Sequence, residues 1–323
     1  MSSSPAMKTG YFTHPDCRKH EMGRGHPECP ARLDAINDHL LYVGLLDNLS
    51  QQIAPLAKHE VLELAHSKRH IAAMDDLNDA LQQEIASGGG KQYAQIDPDT
   101  AMNGHTWSAV RHATGAALAA TDAVMAGELA NAFCAIRPPG HHAEHDRAMG
   151  FCVINSVATA AKYSLEHHGL SRVAIVDFDV HHGNGTQDIV SGDDRILFFS
   201  SFQHPFYPGS GADHNASNVV NMPLPIFTKG AAYRELVEAN WLPRLEAFKP
   251  EMIFISAGFD AHKDDDLGQL GLVEADYAWI TSKIKDIAKR HCNGRIVSCL
   301  EGGYNLNALA RSVEAHVRVL ADL

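Results

Sequence analysis

The sequence has few aromatic residues, no long apolar run and no excess of basic residues. Of its 323 residues, 7% are aromatic and 45% are hydrophobic, which is enough for a large core. No run of about 18 uncharged apolar residues occurs, so we expect no membrane span. The formal net charge of −12 argues against nucleic-acid binding by electrostatic attraction. Neither a membrane nor a nucleic acid is therefore an expected partner.

Paired cysteine motifs and a secretion signal are also missing. None of the six cysteines forms a Cys-x-x-Cys pair, and residues 1–7 have neither the basic segment nor the apolar core of a signal peptide. We therefore expect reduced thiols in a cytoplasmic protein, with a disordered tail at residues 1–10 and one folded domain at residues 11–323. Cys152 lies close to a His-His pair, so a nucleophilic Cys–His enzyme is an alternative, although metal-like spacing elsewhere argues against it.

Apolar strand-like runs alternate with helical patterns through most of the chain. Strands are predicted at residues 132–136, 173–177, 196–201, 252–256 and 295–300. Helices are predicted at residues 104–125, 156–168, 231–248, 274–291 and 306–320. Long loops are expected at residues 136–151, 181–190, 203–218 and 258–271. This alternation predicts an α/β fold with a parallel sheet covered on both faces, and loops that gather at one edge.

A metal site is indicated where the strand at residues 173–177 ends. Asp177, Asp179 and His181 occupy alternate positions there, so they are expected to face one side together. A helix cap or a buried hydrogen-bonded pair would explain any one of them alone. Burying several ionisable groups without a cation is costly, however. An Asp-x-His pair without cysteine is typical of a zinc site that keeps an open position.

Further candidate residues follow two other predicted strands. Asp260 comes after the strand at residues 252–256 and reaches the same edge, although a lone Asp there also suits a turn. Tyr304 follows the strand at residues 295–300 and two glycines, which let the backbone approach a ligand closely. Zinc lowers the pKa of water towards about 7 and polarises a carbonyl. With a neutral His as proton acceptor and a Tyr hydroxyl for the oxyanion, the set indicates metal-assisted amide hydrolysis.

Seven motifs in chain order resemble those of the zinc-dependent histone deacetylase family, which includes bacterial histone deacetylase-like amidohydrolases. The motifs are GHPECPARL at residues 25–33, RPPGHH at 137–142, GFC at 150–152, DFDVHHGNG at 177–185, PGSG at 208–211, AGFD at 257–260 and EGGY at 301–304. Asn184 in the fourth motif is similar to the class II branch. The resemblance implies a single-domain arginase/deacetylase-type fold with a mostly parallel sheet of about eight strands and helices on both faces. Residues 11–323 would then be a deacetylase catalytic domain.

The resemblance also implies the metal ligands. Asp179, His181 and Asp260 would bind one catalytic zinc ion. A structural potassium ion would lie beside the zinc strand, with Asp177, Asp179, His181 and Ser200 contributing mostly oxygen ligands.

A set of catalytic roles follows from the same resemblance. His142 would be the general base and then the general acid, and Asn184 would hold it. His141 would be its electrostatic partner, oriented by Asp177. Tyr304 would donate a hydrogen bond to the oxyanion, and its presence favours deacetylase activity over the weak activity of relatives that carry His there.

A substrate tunnel is the last feature that the resemblance implies. Its walls would be Gly150, Phe151, Tyr207, Leu267, Gly302 and Gly303. Polyamine-specific relatives carry a Glu at the tunnel mouth, where this chain has Leu267, so the resemblance favours an acyl-lysine side chain over a free polyamine. We interpret the neighbouring Asp264, Asp265 and Asp266 as a solvated loop.

The expected activity is hydrolysis of N6-acetyl-lysine or another N6-acyl-lysine in proteins or peptides, with release of acetate in the first case. An acetylpolyamine amidohydrolase or another small-amide deacetylase is the alternative. Two alternatives from other classes are a silent acyl-lysine binding module and an arginase-like di-manganese hydrolase. The complete catalytic set argues against the first, and the small number of carboxylate ligands argues against the second. The oligomeric state is left open, a homo-oligomer included.

Overall fold

Short buried apolar runs form ten strands in the computed structural model, which describes residues 7–90, 92–214 and 216–323. The strands are β1 (Thr9–Thr13), β2 (Ser50–Ile53), β3 (Tyr93–Gln95), β4 (Ala101–Asn103), β5 (Asn131–Cys134), β6 (Val173–Asp177), β7 (Ile196–Gln203), β8 (Val219–Leu224), β9 (Met252–Ala257) and β10 (Ile296–Leu300). Eight of them form a parallel sheet in the order β2-β1-β5-β10-β9-β6-β7-β8, while β3 and β4 form an antiparallel pair. The predicted eight-stranded parallel sheet is therefore confirmed.

Ten helices alternate with these strands. They are α1 (Ala31–Tyr42), α2 (His59–Leu62), α3 (Lys68–Ala86), α4 (Thr106–Met125), α5 (Ser156–His168), α6 (Asn184–Val190), α7 (Gly230–Asn240), α8 (Leu242–Phe248), α9 (Glu274–His291) and α10 (Leu306–Leu320). Helices α5, α9 and α10 begin and end where their apolar periodicity predicts. No helix within the described ranges is long and apolar enough to cross a bilayer.

Two hydrophobic cores, one on each face, hold the sheet between layers of helices. Alternate residues of β9 divide between them: Ile253 and Ile255 pack in the core beneath α1 and α7–α10, and Met252 and Phe254 pack in the core beneath α3–α5. A parallel strand buried on both faces has this continuous apolar composition. Because both faces are covered, the polar loops of the sheet are left to meet at its carboxyl edge.

Three predicted boundaries need correction. The predicted loop at residues 181–190 contains α6, a seven-residue helix too short to show a clear period. The predicted helix at residues 231–248 is two helices that meet at Trp241, because Pro243 lacks the N–H that a continuous helix needs there and fits the first turn of α8 instead. Thr9 and Gly10 belong to β1, so the predicted tail at residues 1–10 is too long, and residues 1–6 lie outside the described residues.

Gly115 supplies a test of the packing between α4 and the segment after β2. A methyl group at Gly115 would collide with the backbone carbonyl of Pro55. We expect Gly115→Ala to lower the free energy of unfolding by about 1–3 kcal/mol through overpacking, against the gain of about 1 kcal/mol in helix propensity that Ala brings elsewhere. Chemical denaturation measures the change. Gly90→Ala is the control, because a methyl group there meets nothing within 4 Å and should leave stability unchanged.

Candidate active site

Asp179, His181 and Asp260 meet at the carboxyl edge of the sheet, as the strand pattern predicts. Asp179 and His181 follow β6, and Asp260 follows β9, which is hydrogen-bonded to β6 in parallel register. The Nδ1 atom of His181 lies 3.1 Å from Asp179 Oδ1 and 3.2 Å from Asp260 Oδ2. One ligand atom from each residue lies within 4.8 Å of the others, so the structure contains a candidate metal site with these three residues.

The charges at this site call for a cation. Both carboxylates are buried, and Asp260 Oδ2 has no hydrogen-bond partner. Burial, together with the Asp179 carboxylate, raises the pKa of Asp260 to about 7. Burial disfavours a charge on His181, yet the two carboxylates raise the pKa of its imidazole to about 10. A proton on His181 therefore supplies the positive charge that a metal ion would bring.

The two histidines of the His-His pair have opposite electrostatic environments. His141 Nδ1 lies 2.9 Å from Asp177 Oδ2, and His142 Nδ1 lies 2.7 Å from the neutral Asn184 Oδ1. Burial opposes a charge on His141, but Asp177 and Asp179 raise its pKa well above the ordinary value. Burial and the nearby His141 and His181 lower the pKa of His142 well below that value. His142 is thus the neutral imidazole, the form that can accept a proton.

Tyr304 points its ring into the same cavity and keeps its proton. Burial raises the pKa of its hydroxyl well above the ordinary value, although the Arg32 guanidinium opposes this rise. The Arg32 guanidinium carbon lies 4.8 Å from the Tyr304 ring centroid. Arg32 also donates to the carbonyls of Glu301 and Gly303 at 2.5 and 2.7 Å. The loop that carries Tyr304 is therefore held by a buried cation.

A buried carboxylate fixes the loop that carries the His-His pair. Glu301 Oε2 accepts the backbone N–H groups of Gly140 and His141 at 2.7 and 3.1 Å, and its Oε1 accepts from the Ser256 hydroxyl at 2.9 Å. Burial and the Asp177 carboxylate raise the pKa of Glu301 to about 7, with His141 opposing. Glu301 thereby joins the ends of β5, β9 and β10 at the site.

Asp265 holds Tyr304 from the opposite side. Its Oδ2 accepts the backbone N–H groups of Tyr304 and Asn305 at 2.6 and 3.0 Å, and its side chain is buried. The interpretation of residues 264–266 as a solvated loop is therefore wrong for Asp265. Asp264 is exposed and lies 3.7 Å from Arg311, whereas Asp266 is exposed at the mouth of the site.

A cavity of about 290 Å³ leads from the surface to these groups. Of the predicted tunnel residues, Gly150, Phe151, Tyr207 and Leu267 line it. Asp99, Phe206 and Asp266 also line it and were not predicted. Gly302 and Gly303 do not line it, which corrects that part of the prediction. A side chain at Gly302 would collide with Asp179 and Asp260, so this glycine lies behind the candidate ligands and donates its N–H to Asp179 Oδ2 at 2.9 Å.

Cys152 does not act as the nucleophile that one alternative required. Its side chain is inaccessible, and its thiol lies 3.3 Å from the Gly150 carbonyl oxygen. Burial raises the pKa of Cys152 well above the ordinary value, so the reactive thiolate is disfavoured. The metal-like cluster, rather than a Cys–His pair, carries the chemistry of this cavity.

The comparisons with known proteins agree with this geometry. Residues 26–320 match the family model described as a histone deacetylase domain. The chain is 45% identical over 246 residues to Type-2 histone deacetylase 2 of Dictyostelium discoideum, which covers 69% of this chain and 14% of that protein. It is 36% identical over 288 residues to a histone deacetylase-like amidohydrolase of Pseudomonas aeruginosa, which covers 87% of this chain and 73% of that protein.

A solved structure shares the whole fold. The crystal structure of the HDA15 HD domain matches with a TM-score of 0.90 and 32% sequence identity, and the match covers 98% of this chain and 90% of that one. The family match includes every element that carries the candidate metal ligands, the His-His pair and Tyr304. The chain therefore belongs to the histone deacetylase family.

Proposed function

We propose that this chain is a zinc-dependent deacetylase that hydrolyses the amide of N6-acetyl-lysine or a related N6-acyl-lysine in proteins or peptides. The observation that carries the proposal is the meeting, in one cavity, of a three-residue metal site, a neutral histidine and a protonated tyrosine. Family membership supports amide hydrolysis. The lysine substrate and the zinc ion rest on the resemblance and on the shape and charge of the site.

The donor atoms fit zinc. Zinc binds nitrogen and carboxylate oxygen at about 2.0–2.2 Å, so the ligand atoms of a tetrahedral site lie about 3.3 Å apart. His181 Nδ1 lies at 3.1 and 3.2 Å from its two carboxylate neighbours, close to this value. Asp179, His181 and Asp260 would hold the ion and leave a position for substrate. The ion would polarise the acyl carbonyl and make water more acidic. The potassium site at Asp177, Asp179, His181 and Ser200 stays a prediction.

The protein groups supply the proton transfers. His142 accepts a proton from the attacking water while the carbonyl carbon becomes tetrahedral. Tyr304 donates a hydrogen bond to the resulting oxyanion, a role that requires its hydroxyl to stay protonated. The amide C–N bond then breaks, and the imidazolium of His142 returns the proton to the leaving amine. The charged His141 beside it stabilises the negative charge that develops in the cavity.

The narrow cavity supports an extended acyl-lysine as substrate. Phe151 and Tyr207 contribute apolar ring surface to the wall, which suits the four methylene groups of a lysine side chain. Leu267 places an apolar group at the mouth, although Asp99 and Asp266 line the same opening. These two carboxylates are the observation that favours the second candidate, an acetylpolyamine amidohydrolase. We propose the lysine substrate because neither acid replaces the Glu that polyamine-specific relatives carry at position 267.

The metal assignment predicts linked losses. Asp179→Ala removes a carboxylate ligand, so we expect loss of bound zinc together with loss of deacetylase activity. Zinc content is measured by inductively coupled plasma mass spectrometry, and activity with an acetyl-lysine peptide. Asp264→Ala is the matched control, since Asp264 is an exposed carboxylate on the loop after Asp260 and should change neither. Full zinc content with retained activity in Asp179→Ala would contradict the assignment.

His142 and Tyr304 are predicted to act on the reaction rather than on the metal. His142→Ala and Tyr304→Phe should retain zinc and lower kcat by about 10²–10⁴-fold, with a smaller effect on KM. Steady-state kinetics on an acetyl-lysine peptide, with zinc analysis of the same preparations, separates the two effects. Deacetylation by Tyr304→Phe at the parent rate would rule out the oxyanion role.

Leu267 is predicted to disfavour free polyamines. A second ammonium group at the mouth loses water beside an apolar side chain, which is unfavourable. Leu267→Glu supplies a carboxylate, so kcat/KM on acetylated polyamines should rise relative to acetyl-lysine peptides, and the gain should shrink with added salt. Leu267→Gln, of similar size and without charge, is the control and should show no such gain. A parent enzyme that already prefers acetylated polyamines would overturn the lysine proposal.

A further inference from the structure

A chain of hydrogen bonds runs from His142 to the protein surface. His142 Nδ1 lies 2.7 Å from Asn184 Oδ1, and Asn184 Nδ2 lies 2.8 Å from Glu144 Oε1. The same Asn184 Nδ2 lies 3.3 Å from the thioether sulfur of Met149. The second carboxylate oxygen of Glu144, Oε2, accepts from the Arg147 guanidinium at 3.0 and 3.1 Å. Asn184 is buried, and Glu144 is only partly exposed.

The partners of Asn184 determine which way its amide faces. A carboxylate can only accept hydrogen bonds, and a thioether sulfur is also an acceptor. Both contacts therefore require the NH₂ group of Asn184 to face Glu144 and Met149. The carbonyl oxygen of Asn184 must then face His142. An amide without such partners could turn over and present its NH₂ group to the imidazole instead.

The direction of the amide in turn decides where His142 carries its proton. A carbonyl oxygen beside Nδ1 requires Nδ1 to be the N–H donor, so the lone pair lies on Nε2. Resting on the proposed function, we propose that Glu144 is a positioning residue: through Asn184 it holds His142 in the tautomer that can accept a proton at Nε2. Arg147 keeps the Glu144 side chain in place by occupying its other oxygen. His66 donates from Nδ1 to the Glu144 carbonyl at 2.9 Å and fixes the backbone there.

This arrangement differs from the one at His141, where no such intermediary is needed. The Asp177 carboxylate accepts directly from His141 Nδ1 and can do nothing else. At position 184 the neutral amide avoids a second buried charge, but it loses that certainty of direction. Glu144 restores the direction from one residue further away, and it leaves the contact to His142 uncharged.

Reversing the polarity of the pair tests the proposal. In Glu144→Gln the side-chain amide no longer enforces the direction of Asn184, so kcat should fall by about 10–100-fold with KM and zinc content unchanged. In Asn184→Asp a carboxylate would face the Glu144 carboxylate at hydrogen-bond distance, which also lowers kcat. In the double variant, the introduced glutamine amide can donate to the introduced aspartate, which still accepts from His142 Nδ1. The double variant should therefore exceed both single variants in kcat.

A structural role alone would predict the opposite pattern, in which the two losses multiply. Glu166→Gln is the control, because Glu166 forms a comparable exposed pair with Arg195 at 2.9 Å and should leave kcat unchanged. A double variant no better than the worse single variant, or Glu144→Gln at the parent kcat, would overturn the proposal.

A spectroscopic measurement keeps this result separate from the proposed function. In protein labelled with ¹⁵N-histidine, the nitrogen shifts of His142, assigned with the His142→Ala variant, report its tautomer without any substrate. The parent should show a protonated Nδ1 and an unprotonated Nε2, and Glu144→Gln should show a mixture. If the parent deacetylates no substrate but shows this change, the proposed function fails and the positioning role stands. If both proteins show the same tautomer, the positioning role fails whatever the activity.

Discussion

Buried negative charge at the carboxyl edge of the sheet constrains most of the surrounding structure. Four carboxylates lie there with almost no exposure, namely Asp177, Asp179, Asp260 and Glu301. Each is an expensive group to bury, and the cost is offset only where donors and cations reach it. Gly302 approaches closely enough to donate its N–H to Asp179, and the Val180 N–H reaches Asp260 Oδ1 at 2.9 Å. Backbone donors stop short of Asp260 Oδ2, and it is there that a metal ion fits.

The same field divides the work of the two histidines. His141 lies against two of the carboxylates and is held in its charged form, whereas His142 meets a neutral amide and the positive charges of its neighbours. Adjacent residues in one short loop thus present an imidazolium and a neutral imidazole to a single cavity. The difference comes from which strand end each ring faces, since Asp177 ends β6 while Asn184 begins α6. A base and a fixed positive charge can therefore act side by side.

Much of this could be predicted from the sequence, because the decisive information is local. Alternating apolar runs predict the parallel sheet, and the ends of parallel strands meet at one edge, so Asp179, His181 and Asp260 could be placed together before the structure was known. The supporting residues depend on tertiary contacts instead. Nothing in the run of three aspartates distinguishes Asp265, which is buried against the Tyr304 loop, from its exposed neighbours. Glu144 lies in a loop whose partner, Asn184, is 40 residues away, and no periodicity links the two.

The ion pairs beneath Tyr304 are best explained by position rather than by stability. Arg137 Nε lies 2.6 Å from Glu28 Oε2, Arg32 lies beside the same carboxylate, and all three side chains are inaccessible. Apolar groups of equal volume often serve stability as well as a buried ion network does. They could not donate to the carbonyls on either side of Gly302, as Arg32 does. Because those carbonyls belong to the loop that carries Tyr304, the network sets where the tyrosine hydroxyl meets the substrate. Its loss would therefore be felt first in the reaction rate, in proportion to how far the hydroxyl moves from the oxyanion.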